Sequence, residues 1–532
     1  SACLVGSEMC IRDRYIYKIG AFFLSLPFLG VTASCDDWFG IMPQSEMVAE
    51  DFWKDEQDVL SGVGACYRAM NEDGFMRRLI VWGEVRSDNV VPGTGSDTDL
   101  GYILNANINA ANGYVKWSEV YTVINICNTL IKNAPMVREY DSDFTEEHLK
   151  QYLAEAKTIR AFCYFTLVRA FNDVPYVEEP YLDDTRTYEV AQSTCESILD
   201  TLITDLKSIE DFAVKEYPDN IDYTKGRVTQ KAVWALLADM YLWLNDYENC
   251  IAYCDKILAS RDNPLTLLPS SNFSNAVFYS GNSDESIWEL QFDNNTQNGA
   301  VRTFYGGTDV NALLSAYDLS AGSDFFGGLD LRHVQGYVGD GLYAIKKYVA
   351  YCSAQDYENP IFGYGDGSNN WIIYRLPDVY LMKAEALAEI GGAANLEEAV
   401  DLVSYTYDRA HPDLEEGSLK GKYTNQSEVR NLVFDERQRE FLFEGKRYFD
   451  LVRRMRREGS PTNIVNTYLM RKYTSMSLDE TTVRSKLDDK DAIYLPIHEE
   501  ELRVNPLLVQ NRFYMASDCL LYTSPSPRDR QK

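Results

Sequence analysis

Between Val433 and Arg454 the chain reads VFDERQREFLFEGKRYFDLVRR, and this stretch narrows the possible folds more than any other. Val433, Phe434, Phe441, Leu442, Phe443, Tyr448, Phe449, Leu451 and Val452 form its apolar side, with charges at most other positions. The pattern predicts one or two amphipathic helices packed on a core, with Gly445 as a break or a close contact. The charges also fall at helical spacing: Asp435 with Arg439, Glu440 with Glu444, Lys446 with Asp450. Glu436, Glu440 and Glu444 share a helix face and resemble the carboxylate pair a glycosidase needs. However, Arg437, Arg439, Lys446 and Arg447 are interleaved with them. This spacing favours an ion-paired structural surface, because ion pairing lowers carboxylate pKa values.

Helical periods recur in both halves of the chain. Asp55–Asn71, Trp117–Asn133 and Glu147–Phe171 each carry apolar residues three and four apart, the last stopped by Pro175 in Asn172-Asp173-Val174-Pro175. In Gly226–Leu258, Thr229 is placed to cap a helix through Ala232, Leu236, Ala238 and Tyr241. A turn at Asn245-Asp246 and a second helix from Tyr247 follow. Leu376–Glu389, Gly391-Gly392 and Asn395–Ala410 repeat this helix–turn–helix plan, similar to tetratricopeptide units whose small residues let paired helices approach. Asn263–Trp371 differs, being rich in Gly, Asn, Asp, Ser and aromatics. Only Glu285–Phe292 (ESIWELQF) alternates there like a buried strand. Long loops in a compact domain are usually functional, and Val85–Asn112 is a second such region.

Composition excludes some functions. The net charge of −30 argues against nucleic acid as a partner. Among the 37 tyrosines are many flat apolar faces with a polar edge, suited to stacking on sugar rings. Cys66, Cys127, Cys163, Cys195, Cys250, Cys254 and Cys352 read as small buried hydrophobes and not as a disulfide framework. No nucleophile elbow, zincin, Walker or dinucleotide motif is present, so no enzyme is expected. No cofactor is expected either. Asp366–Asn370 and Asp293–Gln297 alternate oxygen ligands without the Gly and Glu of an EF-hand, which leaves only an irregular calcium site open.

The two ends read as foreign. One codon choice for Cys519–Asp529 has a reverse complement that encodes Leu4–Asp13, so 1–14 and 518–532 are expected to be a non-native, adapter-derived leader and tail. Residues 15–34 then form a truncated signal peptide, with Lys18 before the apolar Ile19–Val31, too short to span a bilayer. Thr32-Ala33-Ser34-Cys35 resembles a lipoprotein signal-peptidase site, although Leu is commoner than Thr at its first position. This makes Cys35 the expected lipidated residue, followed by Asp36 and Asp37.

The Val433–Arg454 stretch closely resembles the motif near the C-terminus of the SusD/RagB family of outer-membrane nutrient-binding lipoproteins. Further resemblances follow in AEAKTIRAFCYFTLVRAFNDVPYV (154–177), in the Gly226–Leu258 hairpin, in WGEVRSDN (82–89) and in the closing segments Tyr494–Ile497 and Asn505–Asn511, where Arg512 stands in place of the usual Pro. The resemblance covers about 35–517. It implies a mostly α fold: stacked tetratricopeptide-like helical hairpins, at about 50–260 and 371–460, backing a loop-rich lobe at about 263–370 with few short strands. It also implies a lipid-anchored, surface-exposed protein of the outer membrane that captures an oligosaccharide and delivers it to a SusC-like TonB-dependent transporter. A peptide-binding member of the family, or a helical-repeat scaffold for protein contacts, is the alternative. The ligand surface is then expected on the loops, with Tyr102, Asn105 and Asn107 in the first, and Asn298, Phe304, Tyr305, Phe325 and Phe326 in the second.

Overall fold

Helix pairing sets the architecture. The computed structural model describes residues 52–181, 189–271, 273–306, 312–317, 326, 330–332, 344–352, 362–365 and 367–515. The segments 1–14, 15–34 and 518–532, together with Cys35, Phe325 and Asp366, lie outside these residues. The scaffold helices are α1 (Glu56–Asn71), α2 (Asp73–Ile80), α3 (Ser118–Val137), α4 (Glu146–Phe171), α5 (Cys195–Lys207), α6 (Gln230–Trp243), α7 (Tyr247–Ala259), α8 (Leu376–Ile390), α9 (Ala393–Ala410), α10 (Gln426–Glu440) and α11 (Arg447–Glu458). Among the described residues the strands used below are β1 (Val90–Pro92), β2 (Ser286–Leu290), β3 (Leu314–Ala316), β4 (Ala350–Cys352), β5 (Phe362–Tyr364) and β6 (Trp371–Arg375), all short.

Consecutive helices form hairpins: α3 packs on α4, α6 on α7 and α8 on α9, while α7 lies against α8 and stacks one hairpin on the next. Ala232, Ala235 and Ala238 are fully buried along α6, where small side chains let the paired helices come close. Gly391 and Gly392 turn the chain between α8 and α9 at φ +77° and +90°, a region that Cβ-bearing residues rarely adopt. The fold is thus the expected one of helical hairpins with few short strands. Some details differ. Thr229 occupies the N-cap position of α6, but its side chain makes no capping bond. The chain leaves α4 at Asn172, with φ 68° and ψ −84°, three residues before Pro175. The alternating ESIWELQF segment forms β2, antiparallel to β6, and places Trp288 and Trp371 in the core.

The Val433–Arg454 stretch forms most of α10, a turn, and the first part of α11. Gly445 is both the break and the contact that its sequence suggested. Its φ is +69°, and a Cβ on neighbouring Gly83 would fall 1.7 Å from the Gly445 carbonyl oxygen. The charges overturn the expectation of a local helix surface. Within the stretch, Glu436 pairs with Arg439 and Asp450 with Arg453, each three residues apart, while Arg437 pairs with Asp450 across the turn and Lys446 lies 3.9 Å from Glu444. The other partners come from distant segments, and the pairs are buried. Arg375 and Arg409 each reach Glu440 Oε1 at 2.5 Å, and Arg332 reaches Glu436 at 2.7 Å and Glu440 at 3.1 Å. Glu444 takes Lys347 and Arg375 at 2.7 Å each. Further along, Arg437 holds Asp450, Arg453 holds Glu385 and Arg447 holds Asp88, each through two guanidinium nitrogens.

Burial alone would push these carboxyls up. Arg409, Arg375 and Arg332 outweigh burial at Glu440 and hold it well below the usual range. At Glu444, Arg375 and Lys347 do the same and bring it down to about 2. Glu84 is the exception: it is fully buried and has no cation bonded to it among the described residues. It accepts hydrogen bonds from the Asn89 amide at 2.7 Å and the Gly445 N–H at 3.1 Å. Burial raises it from 4.5 to about 7, and those hydrogen bonds offset only part of the rise.

Two outcomes follow. Glu440→Gln leaves buried guanidinium charge uncompensated, so urea unfolding should show a loss of about 3–5 kcal/mol. The pH profile should show two opposed effects. Glu84, raised in the native state, holds a proton that the unfolded chain releases above 4.5, so its contribution is present below 4.5 and lost as pH rises to about 7. Glu444, depressed to about 2, contributes above 4.5 and loses that contribution as pH falls towards 2. In Glu84→Gln the decline in melting temperature between pH 5 and pH 7 should flatten while the acid limb stays.

Candidate ligand-binding surface

The two loop-rich regions of the sequence meet in space. β1, from the first, pairs antiparallel with β3, from the second, in the register Val90↔Ala316 to Pro92↔Leu314. Gly93 continues the contact: a Cβ there would fall 2.3 Å from the Ala312 carbonyl oxygen. Asp97 caps the helix Thr98–Leu104 by accepting the Leu100 N–H at 2.8 Å. Its other oxygen takes the Tyr114 hydroxyl at 2.6 Å. The Tyr114 ring in turn meets Phe304 edge-on at 6.2 Å, joining the first loop to the short helix Gly299–Tyr305 of the second.

The residues anticipated as ligand contacts divide into two groups. Tyr102 is 39% exposed on the helix Thr98–Leu104, and Asn105 follows it half-buried. Asn107 is exposed, and its side-chain oxygen accepts the Lys486 ammonium at 2.9 Å. The second group is corrected by burial. Asn298 caps the helix Gly299–Tyr305 through Val301 N–H at 3.2 Å and donates to the Asn369 carbonyl at 3.2 Å. Phe304 is fully buried, and Tyr305 donates its hydroxyl to the Phe443 carbonyl at 2.8 Å inside the core. Phe326 is buried as well. Protein atoms already cover these aromatic faces, so they support the surface without presenting a face to a sugar. Asp293 uses one carboxylate oxygen to cap its own turn, accepting the Asn295 N–H at 2.7 Å and the Thr296 N–H at 2.6 Å.

An exposed aromatic surface lies on elements that the sequence had left as loop. β4 and β5 form a hairpin, with Tyr351 opposite Gly363. Tyr351 is 40% exposed, and its ring occupies the space above Gly363, where a Cβ would come within 2.1 Å of it. Any larger residue at 363 would displace the ring. Tyr279, from the π-helical turn Asn275–Ser280, meets Tyr351 edge-on at 5.1 Å. The Lys346 ammonium sits 4.4 Å from the centre of the Tyr364 ring and donates to its hydroxyl. Polar groups continue the surface towards the first loop: Arg302 beside Gly367, then Asp73 and Arg77, with Arg77 5.8 Å from the Phe304 ring centre. The available signal is four tyrosines at 348, 351, 357 and 364, with Gly363 and Gly365 flanking the last. Their spacing follows neither helical nor strand periodicity, so it does not single out an exposed ring.

Two other features constrain the chemistry. A groove of about 480 Å³ is lined by Trp117, Tyr121, Ile126, Val177, Val504 and Leu508. Its amides are engaged by main chain: Asn125 with both Tyr181 N–H and C=O, Asn128 with Val177 and Asn505 with Val190. With its amides taken, the groove offers mainly apolar contact, with Glu501 as the charged group on its lining. The carboxylates that resembled a glycosidase pair are fully buried among arginines and held ionised, so they are unsuited to donate a proton at neutral pH.

Comparison with known proteins gives a consistent picture. The family model described as "SusD family" matches residues 303–514, and "Starch-binding associating with outer membrane" matches residues 37–242. SusD-like protein P38 of Formosa agariphila is 26% identical over 478 residues, covering 82% of this chain and 91% of that protein. SusD-like protein P25 of the same organism is 26% identical over 539 residues, covering 90% and 95%. Among solved structures, a SusD homolog from Bacteroides thetaiotaomicron superposes with a TM-score of 0.71 at 17% identity, covering 88% of this chain and 99% of its own. Surface glycan-binding protein A from Bacteroides uniformis superposes with a TM-score of 0.64 at 22% identity, covering 86% and 100%. Both halves of the sequence match models of one family, and the hairpin scaffold is shared with its solved members, so the chain belongs to the SusD/RagB family.

Proposed function

We propose that the protein is a surface lipoprotein that captures an oligosaccharide and hands it to a TonB-dependent transporter in the outer membrane. The observation that carries this reading is the tyrosine surface on the β4–β5 hairpin. Tyr351 is held over Gly363, edge-on to Tyr279, with Asn369 beside Gly365 and Lys346 on the neighbouring Tyr364. A pyranose ring presents an apolar face of C–H groups and an equatorial belt of hydroxyls. A flat aromatic ring matches the first, and cations, amides and carboxylates match the second. The hairpin packs against the π-helical turn Asn275–Ser280, whose Phe278 lies against Lys347 of the ion-paired core, so its rings are held in place before a ligand arrives. Binding needs no covalent step, and no residue is assigned a catalytic role. The relative named as a surface glycan-binding protein, and the family description "Starch-binding associating with outer membrane", support the same reading.

Lipidation at Cys35 would supply the anchor; no helix among the described residues is long and apolar enough to cross a membrane. The apolar groove at Trp117 and Leu508 suits a polypeptide side chain better than a sugar, which favours it as a contact for the transporter partner.

Glycan-array screening followed by titration calorimetry tests the reading. Tyr351→Ala should weaken the best glycan by about tenfold or more, about 1.4 kcal/mol, with an unchanged melting temperature. Gly363→Val should act in the same direction by displacing the ring. If the protein binds no glycan, and no transporter co-purifies from solubilised outer membranes, the proposal is wrong.

A further inference from the structure

We infer that the glycan taken by this surface carries anionic groups, carboxylate or sulfate, and that Arg302 is the residue that reads them. The inference rests on the glycan-binding reading above and narrows it to a ligand class.

The chain is strongly acidic, with 81 Asp and Glu against 51 Lys and Arg, and its half-buried and buried guanidiniums are mostly spoken for. Arg332, Arg375, Arg409, Arg437, Arg447 and Arg453 each face one or more carboxylates within 3.1 Å. Arg302 departs from this economy. It is half-buried on the helix Gly299–Tyr305, and its guanidinium has no hydrogen-bond or ion-pair partner among the described residues. A cation partly withdrawn from water and left without a counter-charge is held at a cost, unless a charge arrives from outside.

Its position says where that charge would come from. The Arg302 stem runs beside Gly367, with its Cδ 3.8 Å from where a Cβ would stand, and Gly367 has φ +96°. Two residues earlier on the same backbone, Gly365 carries the Tyr279 ring that abuts Tyr351. On the other flank of the same short helix, Arg77 lies 5.8 Å from the Phe304 ring centre, paired with Asp73 one turn back and beside the Tyr114 hydroxyl. Asp73 is itself 49% exposed, so this pair is open to solvent and easily exchanged. Two guanidiniums therefore bracket one helix at the edge of a tyrosine platform. The planar fork of arginine matches carboxylate and sulfate oxygens in pairs, a geometry that hydroxyls of a neutral sugar do not fill.

Titration calorimetry on the intact protein should compare three probes of similar length: an oligogalacturonate, a sulfated galactan oligosaccharide and a maltooligosaccharide. At least one anionic probe is expected to bind about tenfold tighter than the neutral one, and to weaken as NaCl rises from about 50 to about 300 mM. The two anionic arms separate uronate from sulfate. Arg302→Gln should cost that probe about tenfold and cost the maltooligosaccharide far less, so that the preference for the anionic probe collapses. Arg302→Lys should restore part of the loss, because the charge returns without the fork. Equal melting temperatures would show that all variants fold. Neutral binding as tight as anionic binding overturns the inference while leaving the proposed function standing. So does an Arg302→Gln variant that binds every probe as the unsubstituted protein does. If none of the probes binds and the wider array is also blank, the glycan reading fails and takes this inference with it.

Discussion

Three glutamates four residues apart in sequence, Glu436 and Glu440 on α10 and Glu444 in the turn after it, are fully enclosed by protein, and the rest of the structure is arranged to keep them ionised. Taking a carboxylate out of water costs several kcal/mol even after relaxation, and the cost is met only by close cations with their remaining hydrogen bonds satisfied. Here the cations come from three places. Arg332 and Lys347 belong to the loop-rich lobe, Arg375 to the end of β6, and Arg409 to the last turn of α9. The same stretch reaches back to the first loop region through Arg447 and Asp88, and through the Gly445 N–H and Glu84. Buried ion pairs of this kind are weak evidence for net stability. They do select one arrangement, because any shift in α10 strands a charge.

This arrangement explains why the surface above it can be so different in character. The tyrosine hairpin, the helix Gly299–Tyr305 and the first loop carry exposed polar and aromatic groups, yet each is tied down from beneath. Tyr305 donates to Phe443 in the turn between α10 and α11, and Phe278, beside Tyr279, lies under Lys347 with the ammonium 4.1 Å from its ring centre. The residues that present themselves to solvent are thus fastened to the residues that hold the charges.

How much of this could be read from the chain depends on the range of the interaction. Helices and their pairing were legible in 55–71, 117–133, 147–171, 226–258 and 376–410, because apolar spacing is local and the hairpins are formed by neighbours in sequence. Gly445 was legible for the same reason. The partners of Glu440 were not: 65 residues separate it from Arg375 and 31 from Arg409, and nothing in the local spacing names them. The candidate site divides similarly. Phe304, Tyr305 and Tyr351 are all aromatics in aperiodic, glycine-containing segments, and sequence offers no rule for which ring faces inward. Gly363 decides the matter for Tyr351, but only once the strand pairing that sets them opposite each other is known.

The long reach of the ion-pair network has a bearing on how the chain acquires its structure. Glu84 and Asp88 lie in the first fifth of the sequence, while the groups that satisfy them, Gly445 and Arg447, lie in the last fifth. A chain emerging from its N-terminus can wind its early hairpins from local contacts. It cannot close the core until some 360 further residues have followed, since |i−j| for the Glu84–Gly445 bond is 361. Until then two acidic groups, and the apolar turn around them, stay open to other partners. A chain cut short before α11 would therefore lack Arg447, the cation that pairs with Asp88, and with it a finished interior.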